Sequence, residues 1–303
     1  MSLALPSTLT PSKISSFTSC PLSFRFSVLE RLPEVASPAA VKGTLVHRAL
    51  QVLFSEREAG HRDRLEAESA LLRAWDEMRE SPDITELGLA EGEQASFLRD
   101  ASALLDRYFE LEDPNSVTPI GLELDLRVDV DGMVLRGIID RLDLLGDGTL
   151  AVVDYKTGRA PRAEQSRSRL SSVQLYAFLC EQVIGQRPSV VRLMYLRDRV
   201  VVSADATEQS LRGVHQRAKA VWAAIERACE RSDFRPNPSA LCKWCSFQEY
   251  CPAYGGDPER AAAAVQRVAF RGRHFGPVSV VSGAGEPAAS AGLAAHAAGT
   301  LPA

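Results

Sequence analysis

The sequence predicts an α/β fold, and three observations carry that expectation. Residues 118–157 alternate apolar and polar side chains in three runs separated by tight turns, as half-buried strands do. Segments around them (43–55, 63–80, 91–111, 170–186 and 207–231) space their apolar residues as helices do. The 303 residues are 45% hydrophobic and 24% charged, an ordinary composition for a globular chain long enough to bury a sizeable core.

Taken in order, residues 1–40 form an N-terminal segment. Within it, SKISSFTSCPLSFRF offers a helix start that Ser12, Ser15 or Ser16 can cap, followed by a Cys-Pro break. GTLVHRALQVLFS places Leu45, Ala49, Val52 and Leu53 at helical spacing. Helices over 63–80 and 91–111 follow, with SPDITELG between them as a loop. TPIGLELDLRVDV is the first strand, Asp131-Gly132 a hairpin turn and MVLRGIIDRLDLL the second strand. GDG turns the chain into the third strand, TLAVVDYKTG, which completes an antiparallel meander. LSSVQLYAFLCEQVIG reads as a helix, VVRLMYLRD as a fourth strand and VVSADAT as a fifth. The last helix, 207–231, ends near RPNPS.

Beyond Gly255 the composition shifts to Ala, Gly and Pro. The expected organisation is one domain over residues 1–257 and a disordered tail over 258–303. No apolar run approaches the roughly eighteen residues of a spanning helix. The N-terminus also lacks the basic start and apolar stretch of a signal peptide. The expectation is therefore a cytoplasmic protein without membrane contact. A net charge of −4 runs against a nucleic-acid binder as a whole, but it leaves room for a local basic groove beside metal-holding carboxylates.

The chemistry-bearing residues concentrate in RGIIDRLDLL and AVVDYKTG. A period of two puts Asp154 and Lys156 on one face of their strand and Tyr155 on the other. If the two strands pair across GDG, Asp140 lies beside Asp154, and two carboxylates and a lysine converge. Such a set suits a hard divalent ion that polarises a phosphate, with the lysine steadying developing negative charge. A solvated face with an incidental ion pair would leave the same D-x-K trace. Each aspartate directly follows apolar strand residues, which favours a buried site, and Gly137 and Gly158 bracket the pair, as close approach of a ligand would require.

Six cysteines are present, and three form C-x2-C-x5-C at Cys242, Cys245 and Cys251. Cys20, in SFTSCPLSFRF, is a candidate fourth ligand. Four thiolates suit either a tetrahedral zinc ion or an iron–sulfur cluster, and residue chemistry alone leaves both open. Cys180 and Cys229 fall among apolar helix neighbours and read as core.

GIIDRLDLL followed by VVDYKTG resembles the core of RecB-type nucleases of the PD-(D/E)XK class, a group that includes AddB and the nuclease of CRISPR spacer acquisition. GTLVHRAL resembles the G-x-x-x-H motif of that family, with Gly43 and His47 in place. YAFLCEQVIGQRP resembles the helix after its active-site strand, with Tyr176 as the motif tyrosine, and VRLMYL resembles the strand that follows. The resemblance implies a restriction-endonuclease-like core, a mixed central sheet flanked by helices. It implies Mg²⁺ or Mn²⁺ on His47, Asp140 and Asp154, with Lys156 and Tyr176 completing the catalytic set. Glu123, in GLELDL, resembles an acidic residue that precedes the first aspartate strand, and reads equally well as a solvated strand residue. One departure concerns the family's Q-x-x-x-Y: Ser172 stands at the glutamine position, and Gln174 is two residues from Tyr176 and would face elsewhere on a helix.

Family members with this cysteine order hold a [4Fe–4S] cluster. The resemblance therefore implies such a cluster on Cys20, Cys242, Cys245 and Cys251, stapling the N- and C-terminal segments together. The implied activity is that of a DNA exonuclease in repair or recombination. No Walker A pattern is present, so the implied protein stands alone or works with a helicase partner. The alternative is a non-catalytic DNA- or partner-binding module that keeps fold and cluster.

Overall fold

Five strands, β1 (Pro119–Val130), β2 (Met133–Leu144), β3 (Leu150–Lys156), β4 (Val190–Tyr195) and β5 (Val200–Asp205), lie side by side in chain order. The computed structural model describes residues 3–34, 37–161 and 163–261, all within one compact unit. Residues 262–303, most of the expected tail, lie outside the described residues.

The first three strands form the expected antiparallel meander. Asp131 and Gly132 both take positive φ (55° and 76°), the conformation a two-residue hairpin requires. β3 and β4 are parallel, so a helix must cross between them; β5 returns antiparallel, which makes the sheet mixed.

The N-terminal segment holds α1 (Pro11–Ser19) and α2 (Pro21–Phe24), broken at Cys20 as the Cys-Pro pair predicts. The capping residue is Thr10 rather than any of the serines: its side chain accepts from the Lys13 N–H, and Pro11 occupies the first helical position. Just before it, Leu9 bridges the edge of β2 at Leu135, where β3 no longer covers that strand. Helices α3 (Pro38–Glu56), α4 (Arg64–Met78), α5 (Pro82–Thr85) and α6 (Glu91–Leu111) follow. α5 replaces part of an expected loop: Pro82 opens it, and Ile84 is buried, which gives the short turn an apolar anchor. α7 (Ala163–Val183) makes the β3-to-β4 crossover, and α8 (Glu208–Arg231) ends in a left-handed Ser232. Among the described residues no helix is long and apolar enough to cross a membrane.

Two cores sandwich the sheet. Val153 and Tyr155 of β3 join α3, α4 and α6. Leu150 and Val152 join α7, α8 and the N-terminal segment. Burying β3 on both sides leaves its polar residues few options, and each is paired.

One buried cation ties the α3/α6 side together. Arg141, fully buried on β2, donates to both oxygens of Asp143 (2.8 and 2.9 Å) and to both oxygens of Glu112 just beyond α6 (2.6 and 2.9 Å). It also donates to the Tyr155 hydroxyl at 2.7 Å and the Tyr108 hydroxyl at 3.3 Å. Burial works against that charge, but Tyr155 and Glu112 outweigh it and hold the guanidinium protonated. Replacing Arg141 by Met would strand two inward-facing carboxylates. The expected cost is about 3–5 kcal/mol, read as a lower urea midpoint with an unchanged slope.

Candidate active site

The sheet register sets the acidic residues against one another. β1 pairs with β2 through Leu122↔Arg141 and Leu124↔Ile139, which puts Glu123 opposite Asp140. The last β2–β3 pair is Arg141↔Val153, so one step further Asp140 comes level with Asp154. At that step the Tyr155 backbone N–H donates to Asp140 Oδ2 at 2.7 Å, fixing the carboxylate.

Glu123 has φ +46°, a left-handed conformation uncommon for a residue with a β-carbon. Local strain of this kind persists only where its surroundings impose it. His47, on α3, lies with Nδ1 3.4 Å from Asp140 Oδ2. His47, Glu123 and Asp140 together offer ligand atoms that lie within 4.8 Å of one another. Of the two readings of Glu123 open in the sequence, the structure favours a residue of the site.

Asp154 is almost fully buried and ion-paired with the Lys156 ammonium. It is not one of the three clustered ligands, although it faces them across the strand. Burial pushes its carboxyl up to about 6, Lys156 pulls the other way, and the charge on Asp140 adds to the rise. For Lys156, burial opposes the positive charge, but Asp154 and Asp140 overcome it and raise the pKa. The lysine is thus a fixed cation at the end of β3. His47 behaves alike: burial lowers its pKa, while Asp140 more than offsets this and raises it.

Tyr176, on α7, completes the neighbourhood. Burial, then the charges of Asp154, Asp140 and Glu123, raise its pKa well above the usual phenol range, so it stays a hydrogen-bond donor. Its approach depends on Gly137 of β2: a β-carbon there would sit 2.8 Å from the Tyr176 ring and from Leu179. Gly43 plays a similar part, since a β-carbon would lie 2.9 Å from the Thr157 hydroxyl. Gly158, expected to permit close approach, has nothing within 4 Å of its β-carbon position. Gln174 donates to the Asp205 carbonyl at 3.4 Å, at the β5 end of the sheet, and does not take up the missing motif role.

An imidazole and several carboxylates concentrated at partly buried positions fit a hard divalent cation, which would neutralise their mutual repulsion. His47 would have to bind in its neutral form, so metal and proton compete for it.

The cysteines meet at a second place. Cys20, Cys242, Cys245 and Cys251 all line one pocket with Leu22, Phe26 and Phe247. The N-terminal segment and the cysteine segment are joined there by the Asn237 side-chain amide donating to the Ser19 carbonyl at 2.9 Å, and by the Phe26 ring against Phe247 (5.5 Å) and Tyr250 (5.9 Å). Cys242 Sγ accepts from the Ser239 N–H at 3.2 Å, which with the Tyr254 hydroxyl lowers its pKa. Cys180 and Cys229 are buried in the core, and burial alone pushes the Cys180 thiol up to about 12.

A family model described as the PD-(D/E)XK nuclease superfamily matches residues 8–252. The chain belongs to that superfamily. No curated protein sequence matches it. Among solved structures, the chain is similar to the protein SSO0001, with 14% identity over 83% of this chain and 89% of the other and a TM-score of 0.39. It is also similar to a protein from Eubacterium rectale provisionally described as an exonuclease, with 12% identity over 79% and 87% and a TM-score of 0.49. Both scores are low, and the assignment to the superfamily rests on the sequence match.

The sequence missed the Arg141 network. Its only local trace is the arginine between two aspartates in IIDRLD; Glu112 and Tyr108 come from a distant helix. Gly137→Ala is expected to force the Tyr176 ring aside at a cost of about 1–3 kcal/mol. Gly43→Ala, which meets only a hydroxyl, should cost less, and urea denaturation of the two variants would rank them.

Proposed function

We propose that this chain is a metal-dependent DNA nuclease of the RecB/AddB type, acting as an exonuclease in repair or recombination. The observation that carries the reading is the convergence of His47, Glu123 and Asp140 beside the buried Asp154–Lys156 pair. His47, Asp140 and Asp154 hold Mg²⁺ or Mn²⁺, with Glu123 as a further ligand. When bound, the ion polarises the scissile phosphate and acidifies water beside it. Lys156, kept protonated by Asp154, steadies the charge that develops on the phosphate oxygens. Tyr176, kept protonated among carboxylates, orients a phosphate oxygen or a water by hydrogen bonding. The Tyr155 backbone N–H holds Asp140 in place, and Arg141 holds the Tyr155 hydroxyl. Action at DNA ends, and work beside a helicase partner, come from the RecB-type resemblance.

The four clustered cysteines hold a [4Fe–4S] cluster in this reading. The four thiols line one pocket, which suits either group, and the choice of a cluster comes from the RecB-type resemblance. The cluster's role is to staple both ends of the nuclease domain.

The competing reading is a binding module without catalysis, favoured by one observation: Gln174 is engaged at Asp205 rather than at the site. Anaerobically purified protein on end-labelled single- and double-stranded DNA decides between them. Cutting that needs Mg²⁺ or Mn²⁺, is abolished in Asp154→Ala, falls about 100-fold or more in Lys156→Ala, and needs more metal in Glu123→Gln would support the nuclease. Equal cutting by wild type and Asp154→Ala would remove the proposed site, and no cutting by folded wild type would favour the binding module. Separately, Cys20→Ser should lose most of its bound iron by elemental analysis; a wild type rich in zinc and free of iron would overturn the cluster.

A further inference from the structure

The overall negative charge leaves open where a polyanionic strand would lie. We propose that a cleft beside the first turns of α3 holds a backbone phosphate of the DNA strand that reaches the active site. The identity of the ligand rests on the nuclease reading above; the location rests on the cleft itself.

The cleft measures about 320 Å³ and is lined by Ala39, Lys42, Asp100, Arg107, Thr157 and Arg197 among others. Three cations face one carboxylate, and that carboxylate is already ion-paired to Lys42 at 2.5 Å. Arg107 spends one N–H on the Arg197 carbonyl at 3.4 Å. The Arg197 guanidinium itself makes no ion pair or hydrogen bond among the described residues. Cations in excess over their partners, held in a concave surface, suit an anion.

The backbone adds to this field. α3 is 19 residues long and starts with Pro38; Ser37 makes no side-chain cap, and the first turn holds no acidic residue. The positive end of the helix is therefore uncompensated where Ala39 meets the cleft.

Continuity with the active site fixes the kind of anion. Ala39, Gly43 and His47 recur at intervals of four along one face of α3. Gly43 abuts Thr157, the residue after Lys156, so the cleft and the metal-ligand group share a wall. From Lys42 to His47 the helix rises only ~7.5 Å. A chain of phosphates can engage the cleft and the site at once, whereas a single free phosphate would fill only one of them.

The test is binding of a fluorescent oligothymidylate by the full chain in an Asp154→Asn background, so that cutting does not erode the signal. Affinity is measured over a range of salt. Removing one phosphate contact to a single strand should lower the slope of log affinity against log salt by about 0.7. Lys42→Gln, Arg107→Gln and Arg197→Gln are each expected to lower it by a fraction of that, and the triple variant, which removes all three cations from the cleft, by about 0.7. Lys42→Arg, which keeps the charge, should retain the wild-type slope. Arg212→Gln, an exposed cation on α8 outside the cleft, should also leave the slope unchanged. An unaltered slope in the triple variant overturns the proposal, and so does an equal loss in Arg212→Gln. If the cleft variants lose slope while wild type with Mg²⁺ never cuts, the cleft stands and the nuclease reading falls. If wild type cuts and the slope does not move, the nuclease reading stands and the cleft falls.

Discussion

The buried guanidinium of Arg141 governs the geometry of this protein because it sits one residue from Asp140 and points the other way. Neighbouring residues of a strand face opposite sides of a sheet. The side that Arg141 takes is closed by Glu112, Asp143, Tyr108 and Tyr155, so the side left to Asp140 is settled as well. Tyr155 does the same on the adjacent strand: its hydroxyl accepts from Arg141 while its backbone N–H donates to Asp140. A slip of one residue between β2 and β3 would turn every side chain over. It would also pull a charged group away from its four hydrogen-bonding partners, so a network that performs no chemistry specifies the register on which the candidate chemistry depends.

Around Asp140 the balance is reversed. Glu123, Asp140 and Asp154 outnumber Lys156 and His47; burial and neighbouring carboxylates raise the proton affinity of Glu123, Asp154 and Tyr176, and the carboxylates hold the charge on Lys156 and His47 against burial. The fold sustains this repulsion by spreading its sources over β1, β2 and β3 and by clamping individual oxygens with a backbone N–H and a lysine. Such an arrangement is short of positive charge, which is the state in which a divalent cation or a protonated partner is most strongly drawn in.

Much of this was legible in the residue pattern, and the rest was hidden for identifiable reasons. Alternation in LAVVDYK places Asp154 with Lys156 and turns Tyr155 away, and the structure follows it because β3 is buried on both faces. The short turn at Asp131-Gly132 fixes the β1–β2 register without reference to anything distant. Glu123 could not be judged from GLELDL, because its left-handed φ comes from the tertiary surroundings and leaves no mark on local pattern. The partners of Arg141 are separated from it by up to 33 residues, and no periodicity links them. The close approach of Tyr176 to β2 was likewise invisible, although Gly137 carried the hint that a small residue was needed somewhere.

The way the two ends meet also has a temporal side. The segment that bridges β2 at Leu9 and carries Cys20 is made before Cys242, which follows Cys20 by 221 intervening residues. At the ~5–20 residues per second of translation, that interval lasts roughly 10–45 s. Through it, Leu22, Phe24 and Phe26, all fully buried in the finished protein, have no completed core to enter. The aromatic contacts of Phe26 with Phe247 and Tyr250 can form only once those later residues have been made. Joining of the two segments therefore waits on the later one, and the cell must keep an apolar, thiol-bearing segment out of trouble until its counterpart arrives.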